Sequence, residues 1–236
     1  MDKLRASFLS SMLSSENIFQ PFESFDDWLS EIKSTSDFTV RRIDFSQMKQ
    51  WGGNAEGNLV HNSGRFFSIV GVDVELAARH QVSWDQPIIS QPEIGLLGIL
   101  SKDFNGTRYF LMQAKIEPGN VGLVQLSPTV QATHSNMEKV HGGHGQDYLE
   151  YFIEGSKSNI ISDQIQSEQG SRFYQKRNRN IVIDIVDDVP IRKGFRWLSL
   201  RELKLLLERD NIINMDARSV ISCFPFFTLD AVDGKY

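Results

Sequence analysis

Two apolar segments joined by a tight turn are the feature that most constrains the fold of this chain. "IGLLGILS" ends at Ser101 and "TRYFLMQAKIE" begins at Thr107, with Asn105–Gly106 between them. Both segments have the composition of strands, and an Asn-Gly pair favours the backbone angles of a short hairpin turn. The sequence therefore predicts an antiparallel β-hairpin.

Further strands are predicted around this hairpin and helices towards both ends. The predicted strands cover residues 65–76, 121–126, 130–135, 147–153 and 181–186. A helix capped by Ser24, a short helix over residues 46–51, a helix with a capping box at Ser199 and Glu202, and a last helix in "MDARSVISCF" are also predicted.

This order of elements predicts one α+β domain over residues 1–236. It has a helical part at 16–52, a β-rich centre at 58–186 and a helical part at 195–224. Strands gathered in the middle of the chain are typical of α+β folds rather than of parallel βαβ arrays.

The charge balance excludes several classes of partner. The chain has 25 Lys and Arg against 30 Asp and Glu, a formal net charge of −5. Proteins that coat nucleic acid or anionic membranes usually have a basic surplus, so we expect neither as a partner. The single cysteine, Cys223, excludes an internal disulfide and a thiolate-rich metal site. No apolar run reaches membrane-spanning length and no signal-peptide core is evident, so a cytoplasmic location is expected.

Two segments combine strand alternation with polar side chains. In "FLMQAKIEPGN", Gln113, Lys115 and Glu117 share one face of the predicted strand. They are either ordinary solvated residues or the wall of a site. In "SPTVQATHSN", the polar residues Thr129, Gln131, Thr133 and Ser135 share a face, and short hydroxyls and amides suit the hydroxyl groups of a sugar. Periodicity alone leaves both interpretations open.

The segment "VHGGHG" contains His141 and His144 separated by glycines. The neighbouring His134, Glu138 and Asp147 form no recognised metal-ligand spacing, so no metal site is predicted. The segment is either a flexible loop or a glycine-lined approach to a substrate, with His141 as an acid or base. Trp51, before Gly52–Gly53, is either a core residue or a ring that stacks on a nucleobase or sugar.

The basic run "KRNRN" spans Lys176 to Asn180 and precedes an apolar segment. Such a run is either solvated surface or an anion site. If it enters the strand from a short turn or helix, Arg177 and Arg179 are held in place, and paired arginine contacts to a diphosphate are their natural use.

Several long segments together resemble one repeat of the NDP-hexose 2,3-dehydratases. In order from about Trp28 to Pro225 these include "LVHNSGRFFSIVGV", "WDQPIISQPEIGLLGIL", "FLMQAKIEPGN", "VQLSPTVQATHSN", "VHGG", "YLEYF", "SEQGSRF", "KRNRN" and "NMDARSVISCFP". The resemblance implies a Nudix-like mixed β-sheet with flanking helices. "RELKLLLERDN" lacks the metal-binding Nudix box, so pyrophosphate hydrolysis is not expected.

The resemblance also implies a reaction. Family members act on a dTDP-linked 4-keto-6-deoxyglucose in deoxysugar biosynthesis. Loss of the acidic carbon-3 proton gives an enolate that expels the carbon-2 hydroxyl, and the product relaxes to a 3,4-diketo sugar that a downstream 3-ketoreductase reduces. No cofactor is expected, and the chain has no dinucleotide, phosphate-loop or serine-elbow motif.

The family motifs suggest roles for particular residues. We expect the basic run to meet the diphosphate and the segment from Thr133 to Lys139 to line the pocket with Trp51 at its edge. The substrate-binding candidates are Trp51, Gln113, Gln131, Thr133, His134, Ser135, Asn136, Met137, Glu138, Lys139, Gly142, Lys176, Arg177, Asn178 and Arg179. For the chemistry, Glu117 or His141 is the expected base at carbon 3. Lys115 is expected to stabilise the enolate and Tyr148 to protonate the departing hydroxyl.

The chain departs from the family pattern in two ways. Full-length members contain two repeats, whereas this chain has one, so a homodimer is the expected assembly. Where the family usually has a tyrosine in Ser-Asn-Tyr-Thr-Arg-Val-His, this chain has Met137. A catalytically inactive nucleotide-sugar binding protein and a partner subunit of a hetero-oligomer are therefore alternative interpretations.

Overall fold

A computed structural model describes residues 3–76, 82–133, 146–153 and 159–225. Within these ranges the helices are α1 (Lys3–Leu13), α2 (Phe25–Ser34), α3 (Leu200–Leu207) and α4 (Met215–Ser222). The strands are β1 (Trp51–Gly53), β2 (Leu59–His61), β3 (Ser68–Leu76), β4 (Val82–Ser90), β5 (Gly95–Phe104), β6 (Thr107–Ile116), β7 (Val124–Ser127), β8 (Val130–Ala132), β9 (Asn159–Ser167), β10 (Phe173–Tyr174), β11 (Arg177–Asp184) and β12 (Phe195–Ser199). The predicted α+β class is confirmed.

The chain divides into two compact units. The first comprises Met1–Phe38, Gly95–Gln164 and Arg179–Tyr236, and the second comprises Thr39–Ile94 and Ile165–Asn178. The description of residues 1–236 as a single repeat stays a prediction.

The sheet of the first unit is built around the predicted hairpin, which is confirmed. Its order is β12-β6-β5-β11-β9, with β7 also beside β6 and β8 also beside β5. Asn105 and Gly106 form the turn with φ values of 54° and 88°, the left-handed region that this pair of residues tolerates best. The Gly106 amide also donates to the Asp103 side chain at 2.6 Å.

The two strands of the hairpin separate beyond their first five residue pairs. Residues 100–104 of β5 pair with residues 107–111 of β6. Further from the turn, β8 pairs with residues 96–98 of β5, and β7 pairs with residues 113–116 of β6. The short β7–β8 segment therefore occupies the opening between the two strands.

Both faces of this sheet are covered. Phe110 and Met112 of β6 belong to a hydrophobic cluster that includes residues from all four helices. Tyr109 and Leu111, on the other face, belong to a second cluster that contains Leu149 and Phe152. Alternation along a strand produces this division.

Gly98 of β5 allows the second cluster to pack closely. A Cβ atom at this position would lie 2.7 Å from Cδ1 of Phe152. Even one added methyl group would therefore clash with the aromatic ring, which explains a glycine inside a buried strand.

Of the two helix-capping predictions, the capping box of Ser199 and Glu202 is confirmed and the side-chain cap by Ser24 is wrong. Ser199 accepts from the Glu202 amide at 3.2 Å, and the Glu202 carboxylate accepts from the Ser199 amide at 2.6 Å. This reciprocal pair fixes the start of α3. Ser24 precedes α2, although its hydroxyl donates to the Pro21 carbonyl rather than capping the helix.

The second unit contains a mixed five-stranded sheet of order β1-β2-β3-β4-β10. Its longest part is the β3–β4 ribbon, paired from Ser68↔Ser90 to Leu76↔Val82. β10 joins β4 in parallel, and the other pairs are antiparallel.

Two predicted elements are wrong. The strand expected at 147–153 is instead a 3₁₀ turn over Leu149–Tyr151, because Tyr148 adopts a left-handed φ of 62° that interrupts an extended path. The helix expected at 46–51 is reduced to a 3₁₀ turn over Phe45–Gln47, because Trp51 already pairs with His61 in β1.

The entry of the basic run into its strand is also corrected. Residues 177–180 do not form a turn or helix before the strand but are the first half of β11. None of the described helices is long and apolar enough to cross a membrane.

Candidate functional site

A half-buried amine and a carboxylate lie together at the end of β6. Lys115 is the second-last residue of β6, and Glu117 follows the strand directly. Because side chains alternate along a strand, the two lie on the same face. The Lys115 Nζ is 3.6 Å from Glu117 Oε1, and the two side chains are 24% and 30% exposed. The structure thus brings together the predicted enolate stabiliser and one of the two predicted bases.

Burial lowers the pKa of Lys115 below the ordinary value of a lysine. The loss of hydration is the larger effect, and the negative charges of Glu117 and Asp216 oppose it. A half-buried ammonium with a lowered pKa is typical of functional sites.

A chain of hydrogen bonds approaches Glu117 from the β7–β8 segment. Gln131 Nε2 donates to Glu117 Oε1 at 3.0 Å. The Ser127 hydroxyl lies 3.2 Å from Gln131 Oε1 and donates to it. Ser127 is completely buried, so this end of the chain is fixed by the sheet.

Gln113 adds a polar atom to the same face of β6. Its Oε1 is buried, and among the described residues it has no hydrogen-bond partner. A buried carbonyl without a partner costs about 1–3 kcal/mol, so such atoms mark places where a ligand or water is accommodated. Gln113, Lys115, Glu117 and Gln131 are therefore one polar cluster, which we call the β6 cluster.

The polar face expected from Thr129 to Ser135 is only partly present. Thr129 is fully buried, accepts from the Leu100 amide at 2.9 Å and donates to the Leu111 carbonyl. Its hydroxyl is a structural bridge rather than part of a pocket. Thr133 is half-buried at the end of β8.

The remaining residues of that prediction lie outside the described part of the chain. They are His134, Ser135, Asn136, Met137, Glu138, Lys139, His141 and Gly142. Their expected roles in binding and, for His141, in catalysis stay predictions.

The basic run is divided by strand alternation. Lys176 and Asn178 are buried in the second unit, where Lys176 donates to the Glu93 carbonyl and Asn178 to the Glu168 carboxylate. Arg177 points to the other face and is exposed, and none of the described residues forms an ion pair with it.

Arg179, in the first unit, makes two hydrogen bonds to Asp163 at 2.8 and 2.6 Å. The guanidinium holds the pKa of the Asp163 carboxyl below its usual value. A diphosphate at Arg179 would therefore have to displace this carboxylate. Of the three cations predicted to bind phosphate, Arg177 is the one best placed to do so.

Tyr148 has a structural environment. The ring is buried in the second cluster, and its hydroxyl donates to the Pro190 carbonyl at 2.7 Å and accepts from the Arg192 amide at 2.8 Å. Burial raises the pKa of this phenol. Because the hydroxyl proton is already committed to the backbone, Tyr148 is not part of the mechanism proposed below.

Trp51 lies in an aromatic cluster of the second unit. Its ring centroid is 4.8 Å from that of Phe67 and 5.4 Å from that of His61. Phe66 contacts His61 and is 68% exposed, with a left-handed φ of 73°. The Trp51 ring thus has aromatic neighbours, and its stacking on a nucleobase or sugar stays a prediction.

The described residues offer no group of three His, Cys, Asp or Glu side chains that could hold a metal ion.

Comparison with known proteins identifies the family. The model of the NDP-hexose 2,3-dehydratases matches residues 22–224. The chain belongs to this family. It is 46% identical over 220 residues to a "dTDP-4-dehydro-6-deoxy-alpha-D-glucopyranose 2,3-dehydratase" of Saccharopolyspora spinosa, and 49% identical over 205 residues to one of Amycolatopsis orientalis.

These matches include 93% and 84% of this chain but only 45% and 44% of the relatives. A third relative, of Streptomyces violaceoruber, is 41% identical, and 46% of its length is matched. The chain thus spans about half the length of these family members.

The similarity to solved structures is weaker than the similarity to these relatives. The C. elegans Ap4A hydrolase matches with a TM-score of 0.35 and 11% identity, over 56% of this chain and 95% of that one. A Nudix hydrolase of M. smegmatis, RenU, matches with a TM-score of 0.36 and 11% identity, over 61% and 93%. At such TM-scores the likeness carries no argument, so the Nudix-like fold rests on the family resemblance.

Sequence reasoning missed two residues of the β6 cluster's surroundings. Ser127 meets Gln131 because β7 and β8 occupy the open hairpin, and Asp216 is close enough to act on the charge of Lys115 from the start of α4. Neither spacing nor residue type signals these contacts, since both depend on strand register and helix packing.

We predict that Lys115 loses its proton at lower pH than an ordinary lysine and that Glu117→Gln lowers its pKa further. Removing the carboxylate removes a charge that favours the ammonium form. The measurement is the ¹³Cε chemical shift of Lys115 against pH, assigned with Lys115→Met. Glu150→Gln, which removes a carboxylate near Arg192 instead, is the matched control and should leave the curve unchanged. An unchanged curve in Glu117→Gln would contradict the pairing.

Proposed function

We propose that this protein is a sugar-nucleotide 2,3-dehydratase that acts on a dTDP-4-keto-6-deoxyhexose in deoxysugar biosynthesis. The observation that carries the proposal is the β6 cluster, in which Lys115 and Glu117 lie 3.6 Å apart on a chain of this family. The relatives are named as dehydratases of a dTDP-4-dehydro-6-deoxyglucopyranose, which supplies the substrate class. We also propose a cytoplasmic location, as expected from the sequence.

In the proposed reaction Glu117 is the base. The carbon-3 hydrogen of the substrate is acidic because it is next to the carbon-4 ketone. Glu117 takes this proton, and the C–H electron pair forms the enolate. The enolate then expels the carbon-2 hydroxyl, which takes up the proton that Glu117 has removed and leaves as water, so that Glu117 is again a carboxylate. Transfer by a carboxylate of suitable pKa contributes about 10²–10⁴ to such a rate.

Lys115 is proposed to stabilise the enolate. An ammonium stabilises the developing carbon-4 oxyanion more strongly in a partly buried site than in water, because the surroundings screen the charges less. Elimination leaves an enol that relaxes to the 3,4-diketo sugar. A 3-ketoreductase is the proposed downstream partner.

The deciding experiment follows the substrate by proton NMR in heavy water without a reductase. Wild-type protein should remove the carbon-3 proton signal and form elimination products, and Glu117→Gln should slow this by roughly 100-fold or more. Glu150→Gln, a carboxylate outside the β6 cluster, should retain the wild-type rate. Equal rates for Glu117→Gln and wild type would exclude Glu117 as the base and leave His141 as the candidate.

A wild-type protein that binds the nucleotide sugar without exchange or elimination would favour the second candidate function, a nucleotide-sugar binding protein. The observation behind it is Met137, which replaces the tyrosine of the family pattern. Met137→Tyr would then be the variant to test for recovered turnover.

Arg177 is the proposed contact for the diphosphate. Its guanidinium on β11 is exposed and forms no ion pair with a described residue, so it can form charge-assisted hydrogen bonds to a phosphate. Arg177→Ala should weaken the binding of dTDP by about 10-fold or more, the equivalent of about 1.5–3 kcal/mol for such a contact. Calorimetry measures this, with Arg201→Ala, an exposed arginine of α3, as the control. Unchanged affinity in Arg177→Ala would mean that this part of the run is solvated surface.

We further propose that the chain works as a homodimer. The matched parts of this chain cover 44–46% of the relatives' length, so a second copy would supply a comparable amount of protein. The β3–β4 ribbon offers a surface for it. Among the described strands, β2 pairs only with residues 68–69 of the ribbon and β10 only with residues 89–90, so residues 70–76 and 82–88 pair with each other alone.

One face of this ribbon is apolar and exposed towards its end. Leu76, Val82 and Trp84 are 54%, 49% and 45% exposed, and Val74 pairs with Trp84 on the same face. Contiguous exposed apolar surface of this kind is typical of interfaces.

Sedimentation equilibrium should therefore give twice the mass of the chain. Trp84→Glu places a charge in the apolar face and should shift the protein towards the monomer. Val186→Glu, at a 77% exposed valine of the first unit, is the matched control and should remain dimeric. A monomeric wild type at the concentrations used for the activity assay would refute the homodimer.

A further inference from the structure

Within the described part of the chain, the Glu117 carboxylate is held at one of its two oxygens. Lys115 Nζ and Gln131 Nε2 both approach Oε1, at 3.6 and 3.0 Å. Among the described residues no hydrogen-bond donor reaches Oε2. With respect to the described residues, the two oxygens therefore differ: Oε1 is anchored and Oε2 has no donor.

The orientation of the Gln131 amide follows from its two neighbours. An ionised carboxylate only accepts hydrogen bonds, so the amide must direct its Nε2 towards Glu117. Its Oε1 then faces the Ser127 hydroxyl, which is a donor. The same hydroxyl also lies 3.2 Å from the Pro128 carbonyl, so its single proton is shared between two acceptors.

The backbone fixes both ends of this chain. Ser127 is the last residue of β7 and pairs with Gln113 of β6, while Gln131 is in β8 and pairs with Leu97 of β5. Because β7 and β8 are bonded to different strands of the hairpin, their separation is set by the sheet. Gln131 thus reaches Glu117 from a rigid element, which is the requirement for a group that positions a catalytic side chain.

We propose that Gln131, oriented by Ser127, is a positioning residue for the reaction: it anchors Oε1 of Glu117 and so leaves Oε2 to take the carbon-3 proton. The role of Gln131 thus differs from the sugar contact expected from the sequence. Ser127, for which the sequence suggests no role, orients its side-chain amide. The inference rests on the proposed function for its catalytic part, but the hydrogen-bond chain is independent of it.

The hydrogen-bond chain is tested without substrate. The side-chain amide signals of Gln131 in a ¹H–¹⁵N spectrum are assigned by their loss in Gln131→Met. They should move in Glu117→Gln and in Ser127→Ala, since each variant changes one partner of the amide, and should stay in place in Glu150→Gln. Signals that neither Glu117→Gln nor Ser127→Ala moves would overturn the inference.

The positioning role is tested by steady-state kinetics. Gln131→Met, which keeps the length of the side chain, should lower kcat by about 10- to 100-fold with little change in KM, because the base is misplaced but the substrate is still bound. Gln125→Met is the control, since Gln125 is also a buried glutamine of the β7–β8 segment but donates to the Val121 carbonyl. A raised KM at unchanged kcat would show that Gln131 binds substrate and does not position Glu117.

The two tests distinguish the hydrogen-bond chain from the proposed dehydratase function. If the amide signals respond as expected while the wild-type protein shows no turnover, the hydrogen-bond chain is correct and the proposed dehydratase function fails. If turnover is present and the signals do not respond, the function stands and the positioning inference fails.

Discussion

The hydroxyl group of Thr129 is the contact on which the geometry of the β6 cluster depends. Leu100 and Leu111 face each other across the hairpin, and the hydroxyl accepts from the amide of the first and donates to the carbonyl of the second. It thus satisfies two buried backbone groups at the point where the strands separate, each of which would cost about 1–3 kcal/mol if left without a partner. If direct pairing continued instead, the edge of β6 that binds β7 would be taken by β5, and Gln131 would have no place near Glu117.

The parts of the fold that the sequence predicts correctly are those fixed by neighbouring residues. The Asn105–Gly106 turn and the capping box of Ser199 need only local hydrogen bonds and backbone preferences. The wrong elements depend on distant partners. Trp51 belongs to a strand because it pairs with His61. The segment after Asp147 forms a turn because the Tyr148 hydroxyl makes hydrogen bonds to the backbone of Pro190 and Arg192. Local patterns contain no information about such partners.

The same distinction applies to the candidate site. Alternation alone predicts that Lys115 and Glu117 share a face. The structure confirms this, because Lys115 lies at the end of β6 and Glu117 continues the same extended segment. The sequence predicts that the basic run acts as one group, whereas alternation in β11 separates the buried Asn178 from the exposed Arg177. The burial of Lys176 against a backbone carbonyl depends on how the second unit packs, which the run itself does not reveal. A charge cluster in a sequence therefore predicts an anion site only if its residues also share a face.

The pairing of Lys115 with Glu117 has a consequence for the energetics of the proposed reaction. Before proton transfer the ammonium is balanced by the carboxylate, which opposes the loss of hydration that lowers the pKa of Lys115. When Glu117 takes the carbon-3 proton it becomes neutral, and the negative charge appears on the carbon-4 oxygen of the enolate. The ammonium thus exchanges one anionic partner for another, and the net charge of the cluster does not change. A site that moves charge between neighbours needs less reorganisation than one that must create a separated ion pair. For this exchange the enolate oxygen must approach Lys115 as Glu117 is neutralised, so the protonated carboxyl group of Glu117 must keep its orientation. Anchoring one oxygen of Glu117 from β8 meets that requirement.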